Sequence, residues 1–447
     1  MKIIIAGAGA VGTHLAKMLS KEKHTIVLLD EKTEKIKQLE ASYEILAVVG
    51  SPTSLKDLRE AQVPSADLFV AVTPYESTNI TACLLATNLG AQKTLARIDN
   101  QEYLLPKNKE FFKSMGVDSL IYPERLAADE IVNGLKKGCP MKRKYSTRKY
   151  NKCIVFLLAT KIRASSPLCE QQLMQAFNAN DRLRVVVIKR GNDTIIPTGK
   201  DIIKENDIVY FLTTRKGIEE VRILSGKEEF EIDSTMFLGA SRIGVRAIQE
   251  LPSSMNIKVI EQDKEKGISL LEKTDKAMVI NGDGRDIGLL KEEDIESYDA
   301  FVALSGNSET NILACLAAKN LGVKRTIAEV ENNDYISMAE SLDIGAIINK
   351  KIIAASHIYQ LILGGDVSVK CLTFVDVLVV ELMAEDDSSI TKDCLKNLKL
   401  PKNTTIGGIV RNDKGIVAVG DTQIQAGDRV IVFCGEDTVH KIEKLFK

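Results

Sequence analysis

An α/β fold of two parallel-sheet domains, each followed by a small α+β lobe, is what this sequence predicts, and three observations predict it. The chain of 447 residues repeats itself at two different offsets. Within the longer repeat, short apolar runs alternate with segments of helical periodicity. A glycine-rich fingerprint sits between the first such run and the first helical segment.

The longer repeat has an offset of 232 residues: Gly7 meets Gly239, Gly12 meets Gly244, and Gly50 meets Gly282. TNITACLLATNLG from Thr78 meets TNILACLAAKNLG from Thr310, and Tyr103 meets Tyr335. The shorter repeat has an offset of 221 residues, pairing Arg190 with Arg411, Gly199 with Gly420, and Asp207 with Asp428. Two copies of a two-part module follow, because internal similarity at a fixed period marks repeated structural units. The expected domains are 1–137, 138–226, 230–350 and 368–447, with linkers near 138–152, 225–233 and 349–370.

Each element of the first domain has its own signal. Ile3 to Ala6 is a short apolar run, after which Val11, Leu15, Met18 and Leu19 recur at helical spacing. Strand-like runs follow at 25–29, 45–49, 67–72, 94–97 and 118–121, with helical patterns between them. Strands alternating with helices imply parallel strands with crossover helices on both faces of the sheet. The lobe after it is strand-rich, with one helical stretch near 169–178.

Gly7-Ala8-Gly9-Ala10-Val11-Gly12 is G-x-G-x-x-G directly after a strand and opening a helix, the context that gives this short motif meaning. The fold class is therefore Rossmann-like. Gly7 permits the tight turn, Gly9 lets backbone approach a pyrophosphate, and Gly12 allows close helix–strand packing. Asp30 ends the second strand, where an acid hydrogen-bonds ribose hydroxyls, and the lack of an adjacent Arg favours NAD over NADP. Ser51, Thr73, Pro74 and Arg97 follow the ends of strands three, four and five and face the same crevice if the strands take the usual order. Taken singly, Ser51, Thr73 and Pro74 read equally as loop residues or contacts. Arg97 stands among apolar residues and is the better phosphate partner.

The second copy departs from this pattern. In Gly239-Ala240-Ser241-Arg242-Ile243-Gly244, Ser241 stands at the close-approach position and crowds a pyrophosphate. Glu261 serves as the ribose-binding acid after a one-residue gap, and Glu329 replaces Arg97. Negative charge near a phosphate costs on the order of a few kcal/mol at ~4 Å even when partly screened. The first cleft is accordingly expected to bind nucleotide tightly and the second weakly, differently or not at all.

Composition sets the outer bounds. With 60 Lys+Arg against 61 Asp+Glu the net charge is −1, which excludes a protein built mainly to hold nucleic acid. No run approaches the ~20 apolar residues of a membrane span. The opening MKIIIAGAGAVG is broken by glycines and has no cleavage site, so it does not read as a signal peptide. Eight scattered cysteines without a C-x-x-C pair suggest a reducing compartment, hence the cytoplasm, and offer no metal site. Cys83 and Cys315, equivalent in the repeat, read as small core residues.

These residues resemble the RCK/KTN family, regulators of potassium conductance, and within it the regulatory subunits of Trk-type potassium uptake. The resemblance covers essentially the whole chain and rests on the doubled plan, GAGAVG at Gly7, Asp30, the segment from Ala71 to Asn79, Ala96-Arg97 and the lobe turn. It implies a ring-forming homo-oligomer, peripheral to the inner face of the membrane, that gates a separate potassium-translocating subunit of the TrkH/TrkG type. It also implies binding of NAD(H) and, in several members, ATP or ADP as effectors. The contacts transferred by the resemblance are Gly7 to Val11, Asp30, Ser51, Thr73, Pro74 and Arg97, then Gly239 to Ile243, Glu261, Asp283 and Ser305. Ser51 departs from the Gly-Asp of many members, which Gly282-Asp283 keeps.

Two enzymatic alternatives stand beside it. An NAD-dependent oxidoreductase needs an acid or base beside the nicotinamide. The four histidines, His14, His24, His357 and His440, read as surface or packing residues, and no catalytic domain follows the fold. An ATPase would carry G-x-x-x-x-G-K-[ST], which does not occur. No catalytic or metal-ligating residue is assigned. The segment 135–152, with eight Lys/Arg and no acid, reads either as a solvated linker or as a surface for anionic lipid or acidic channel loops.

Overall fold

A computed structural model describes the chain except for residues 21–23, 33–35, 37–39, 41–42, 44, 136–141, 147–152, 178–181, 192, 227–230, 333, 343, 364–367, 372–376, 413 and 436–437. The described chain divides into two compact units, Met1–Ala127 with Lys350–Gly364, and Ala128–Asn349 with Gly365–Lys447.

The first unit is built on six strands: β1 (Lys2–Ala6), β2 (Thr25–Asp30), β3 (Leu46–Val49), β4 (Leu68–Ala71), β5 (Thr94–Arg97) and β6 (Ser119–Ile121). All pair in parallel, in the order β3-β2-β1-β4-β5-β6. The order reverses between β1 and β4, and ligands of open α/β sheets bind in the crevice at such a switch point. β1 and β4 are buried almost throughout, as expected for central strands covered on both faces. On one face Ile4, Val27, Phe69, Ala82, Cys83 and Ala86 form the core with helix Glu76–Leu89.

Helix Lys350–Leu363 completes this unit, packing against helix Ala10–Ser20. The segment 349–370 was expected as linker and is mostly helix, with strand β18 (Ser368–Cys371) beginning at its end. The apolar residues Ile352, Ala355, Ile358, Tyr359 and Ile362 lie on one buried stripe, at the spacing that holds a helix against a neighbour. The basic segment 135–152 also contains structure, since β7 (Lys142–Ser146) pairs antiparallel with β8 (Cys153–Lys161) as an edge strand. Much of that segment lies outside the described residues. Lysine and arginine on an edge strand discourage pairing with another chain.

The second unit contains the repeat of the sheet: β12 (Ser234–Leu238), β13 (Asn256–Glu261), β14 (Ala277–Asn281), β15 (Ala300–Ala303), β16 (Arg325–Glu329) and β17 (Ala346–Ile348), in the order β14-β13-β12-β15-β16-β17. It also holds two five-stranded antiparallel sheets. One adds β9 (Leu183–Arg190), β10 (Asp193–Ile195) and β11 (Ile208–Thr213) to β7 and β8. The other consists of β18, β19 (Leu378–Met383), β20 (Thr404–Arg411), β21 (Lys414–Val417) and β22 (Arg429–Cys434). Val155, Leu157, Val187 and Leu212 of the first share a core with Val377, Val379, Ile431 and Phe433 of the second. Arg184 crosses between them, donating to Ala418 O at 2.6 Å and to Thr405 Oγ1 at 3.0 Å.

The lobe repeat has a structural cause. Arg190 holds Asp207 through Nε at 2.9 Å and Nη2 at 2.8 Å, and Arg411 holds Asp428 at 2.8 and 2.6 Å. Both carboxylates are buried, and a charge taken from water persists only when paired this fully. The helix expected at 169–178 is reduced to Leu173–Ala176, because Glu170 adopts a left-handed φ of 59° that no helix admits.

Candidate functional site

Two clefts lie at the carboxyl ends of the two parallel sheets, one in each unit. In the first, the chain leaves β1 through Gly7, whose φ is +111° and whose missing Cβ would stand 2.9 Å from Thr73 N. No L side chain fits there. At Gly12 a Cβ would stand 1.9 Å from Gly7 O, so helix Ala10–Ser20 touches the loop it leaves. Gly9 is different: a Cβ there meets nothing within 4 Å. The first and third glycines serve packing, and the second keeps space open.

Asp30 closes the floor of this cleft. Its Oδ2 accepts from the Ala8 amide at 2.6 Å and its Oδ1 from the Lys32 amide at 2.9 Å. A carboxylate offers about four acceptor positions, so it retains capacity for hydroxyl donors. Ser51 follows β3, its amide donating to Asp57 Oδ2 at 2.8 Å. Thr73 and Pro74 follow β4 beside Gly7, at the switch point. Arg97 ends β5 and pairs with Asp99 at 3.2 Å, while its Nε is buried without a hydrogen-bond partner. The structure thus gathers Gly7 to Gly12, Asp30, Ser51, Thr73, Pro74 and Arg97 at one sheet end.

Asn79 was passed over as a site residue by residue-level reading. It is buried, its Oδ1 accepting from Thr73 N at 2.9 Å and from Thr73 Oγ1 at 2.7 Å. Its Nδ2 donates to Thr73 O and Arg97 O, each at 3.0 Å. One amide side chain therefore ties the loop after β4 to the end of β5. The retained Thr-Asn pair of the repeat is the signal that pointed to it.

The second cleft reproduces this scaffold. Gly239 has φ +96°, Ala240 N donates to Glu261 Oε2 at 2.6 Å, and Asp263 N donates to Glu261 Oε1 at 2.8 Å. Glu261 ends β13 as Asp30 ends β2, so the sequence gap is absorbed before the acid. Asn311 copies Asn79, bridging Ser305 and Glu329 O. The ligand-facing positions diverge. Ser241 caps helix Arg242–Glu250, its Oγ accepting from Gly244 N at 3.2 Å. Gly239 to Arg242, Glu261, Asp283 and Ser305 line a cavity of about 560 Å³, with Ile243 buried behind them.

Glu329, the counterpart of Arg97, ends β16 and is only 5% exposed. Cys83 and Cys315 are fully buried, and burial pushes both thiols up, that of Cys315 to about 12.

Two dinucleotide-type parallel sheets, each joined to an antiparallel lobe, define a tandem RCK architecture. The family model described as the TrkA-N domain matches residues 3–123 and 235–350, and the TrkA-C domain matches 157–225 and 379–447. The Trk system potassium uptake protein TrkA of Haemophilus influenzae is 31% identical, the match covering 100% of this chain and 99% of the relative. The TrkA homolog 2 of Methanosarcina mazei is 29% identical, with 100% of each chain covered. The chain belongs to the TrkA family of Trk potassium-uptake regulatory proteins. Among solved structures, the GsuK RCK domain superposes with a TM-score of 0.60 at 14% identity, covering 100% of this chain and 94% of that one. A GsuK channel bound to NAD gives a TM-score of 0.60 at 15% identity, covering 100% and 78%. No helix among the described residues is long and apolar enough to cross a membrane.

Proposed function

We propose that this chain senses nucleotide for a separate membrane subunit that translocates potassium, binding NAD(H) in the cleft of Gly7 to Arg97. The pyrophosphate lies over Gly9 and the first turn of helix Ala10–Ser20, whose unpaired amides and positive dipole end attract anions. Asp30 receives the ribose hydroxyls, Ser51 lies toward the adenine, Thr73 and Pro74 flank the switch point, and Arg97 supplies positive charge. Gly239 to Ile243, Glu261, Asp283 and Ser305 take the equivalent positions in the second cleft.

The observation that carries this reading is the space at Gly9. A Cβ there touches nothing, although the glycines on either side in the motif are packed to contact. The φ of Gly9 is not positive either, so neither packing nor backbone conformation requires glycine there. The relative named as bound to NAD shares the fold, and the family name is that of a potassium uptake system.

Function then follows from linkage rather than bond-making. A nucleotide that binds one arrangement of the domains better than another shifts the population toward it, by no more than its difference in affinity. In a homo-oligomeric ring on the cytoplasmic face of the membrane, that shift opens or closes a subunit of the TrkH/TrkG type. The test is rubidium uptake in cells lacking the protein, complemented with wild type, Asp30→Ala or Arg97→Ala. Uptake restored by wild type and lost with the folded variants supports the reading. Uptake indifferent to the protein overturns it and favours an NAD-dependent oxidoreductase.

A further inference from the structure

The molecule contains two kinds of arginine–aspartate pair. In the antiparallel lobes Arg190 holds Asp207 and Arg411 holds Asp428 through Nε and Nη2 together, at distances between 2.6 and 2.9 Å. Those carboxylates are buried, and the forked geometry is the one that sustains a buried pair. The pair at the first cleft is built otherwise. Arg97 Nη2 meets Asp99 Oδ1 once, at 3.2 Å, and the two side chains are 21% and 28% exposed. A guanidinium carries five N–H donors, and Asp99 is the one hydrogen-bond partner of this guanidinium among the described residues. Its Nε is buried without a partner. A buried donor left unpaired costs free energy, so this pose is not the one that satisfies Arg97 best.

Nor does the loop after β5 need the Asp99 carboxylate. Glu76, the first residue of helix Glu76–Leu89, holds that loop, its Oε2 accepting from the Asp99 and Asn100 amides at 2.6 Å each. Backbone carries the hold, and the Asp99 side chain has only Arg97 as a hydrogen-bond partner among the described residues. The second cleft keeps the hold and lacks the pair. There Ser308 Oγ accepts from the Glu331 and Asn332 amides at 3.0 and 3.4 Å, and Glu329 stands where Arg97 does. The ion pair thus belongs to the first cleft and not to the shared scaffold. Arg97 is also tied to the switch point, since Asn79 Nδ2 donates to both Thr73 O and Arg97 O.

We infer that Asp99 is an internal competitor for Arg97, its carboxylate taking the guanidinium that a nucleotide phosphate must claim. The inference rests on the reading that the first cleft binds NAD(H) with Arg97 on a phosphate, and it adds a regulator of that binding. Without nucleotide, Arg97 rests against Asp99 through one donor. A ligand phosphate presents more acceptor oxygens, and guanidinium groups bind phosphate through paired, charge-assisted hydrogen bonds. Arg97 therefore exchanges one anion for the other. Affinity in the first cleft is set by the difference between two ion pairs, which keeps the nucleotide exchangeable.

The experiment is fluorescence titration of NADH into the full chain and into Asp99→Asn, Arg97→Ala and the double variant. Asp99→Asn is expected to bind NADH about fivefold more tightly, the equivalent of one partly exposed ion pair that no longer has to be broken. Arg97→Ala is expected to weaken NADH binding by about fivefold more in the Asp99→Asn chain than in the otherwise wild-type chain. Repulsion between Asp99 and phosphate acts with and without Arg97, so it cancels from that comparison. Affinity unchanged or lowered in Asp99→Asn overturns the inference and leaves nucleotide sensing intact. An Arg97→Ala loss no greater in the Asp99→Asn chain does the same. Failure of NADH to bind either the wild type or Asp99→Asn overturns the underlying reading as well.

Discussion

The two clefts share one scaffold and present different faces to a ligand. Positions that hold backbone to backbone are unchanged: positive φ at Gly7 and Gly239, an acid on the amide after each, and Asn79 and Asn311 bridging the next two strand ends. Positions around the open space have diverged, Gly9 to Ser241, Ala10 to Arg242, Ser51 to Asp283 and Thr53 to Arg285. Duplication thus separates two pressures that a single domain confounds. What both copies keep is needed to fold the crevice, and what differs bears on what enters it.

The sharpest way to break this comparison is at the third glycine. A Cβ at Gly12 would overlap Gly7 O at 1.9 Å, whereas at Gly244 its nearest neighbours are 3.3 Å away. Gly12→Ala is expected to destabilise its domain by about 3 kcal/mol or more through overpacking against backbone. Gly244→Ala is expected to cost less than about 1 kcal/mol, since alanine's helix propensity offsets the contact. Urea unfolding of the two variants measures the difference, and equal losses would mean that the two motifs pack alike.

Next in size are the bridging amides. Asn79→Ala and Asn311→Ala each remove one buried side chain that joins two strand ends, at a cost of about 2 kcal/mol. If these residues are scaffold, the two losses agree to within about 0.5 kcal/mol, the scatter expected of equivalent independent sites. A loss confined to one copy would move that asparagine into the ligand-facing set.

The smallest effect concerns the acids. Asp30→Asn is expected to weaken NADH about tenfold, the loss of one charge-assisted hydrogen bond. Glu261→Gln is expected to leave NADH affinity within about twofold, because the tight dinucleotide site lies in the other cleft. Fluorescence titration with NADH compares them directly.

Much of the fold was legible because its signals are local. Strand runs, the spacing of Val11, Leu15 and Leu19, and the fingerprint at Gly7 each depend on a few neighbouring residues. The strand order β3-β2-β1-β4-β5-β6 is the usual one on which the reading of the crevice was conditional. Helix Lys350–Leu363 escaped because its partner, helix Ala10–Ser20, lies some 340 residues away and nothing in the periodicity names it. The burial of Glu329 was hidden for a related reason: its charge is plain in the sequence, but its burial depends on the packing around the end of β16. The basic lining of the second cleft was equally hidden, since Arg242, Lys266, Lys273 and Arg285 converge only when strands and helices are assembled.

The most direct test of the account is the stoichiometry of NADH binding to the full chain and to Gly9→Val. A Cβ at position 9 meets nothing within 4 Å, so a valine there is directed into the open space of the first cleft. The account predicts one tight NADH site per chain in the wild type and its loss in Gly9→Val. Two equal, independent sites, or tight binding that survives the substitution, would contradict it.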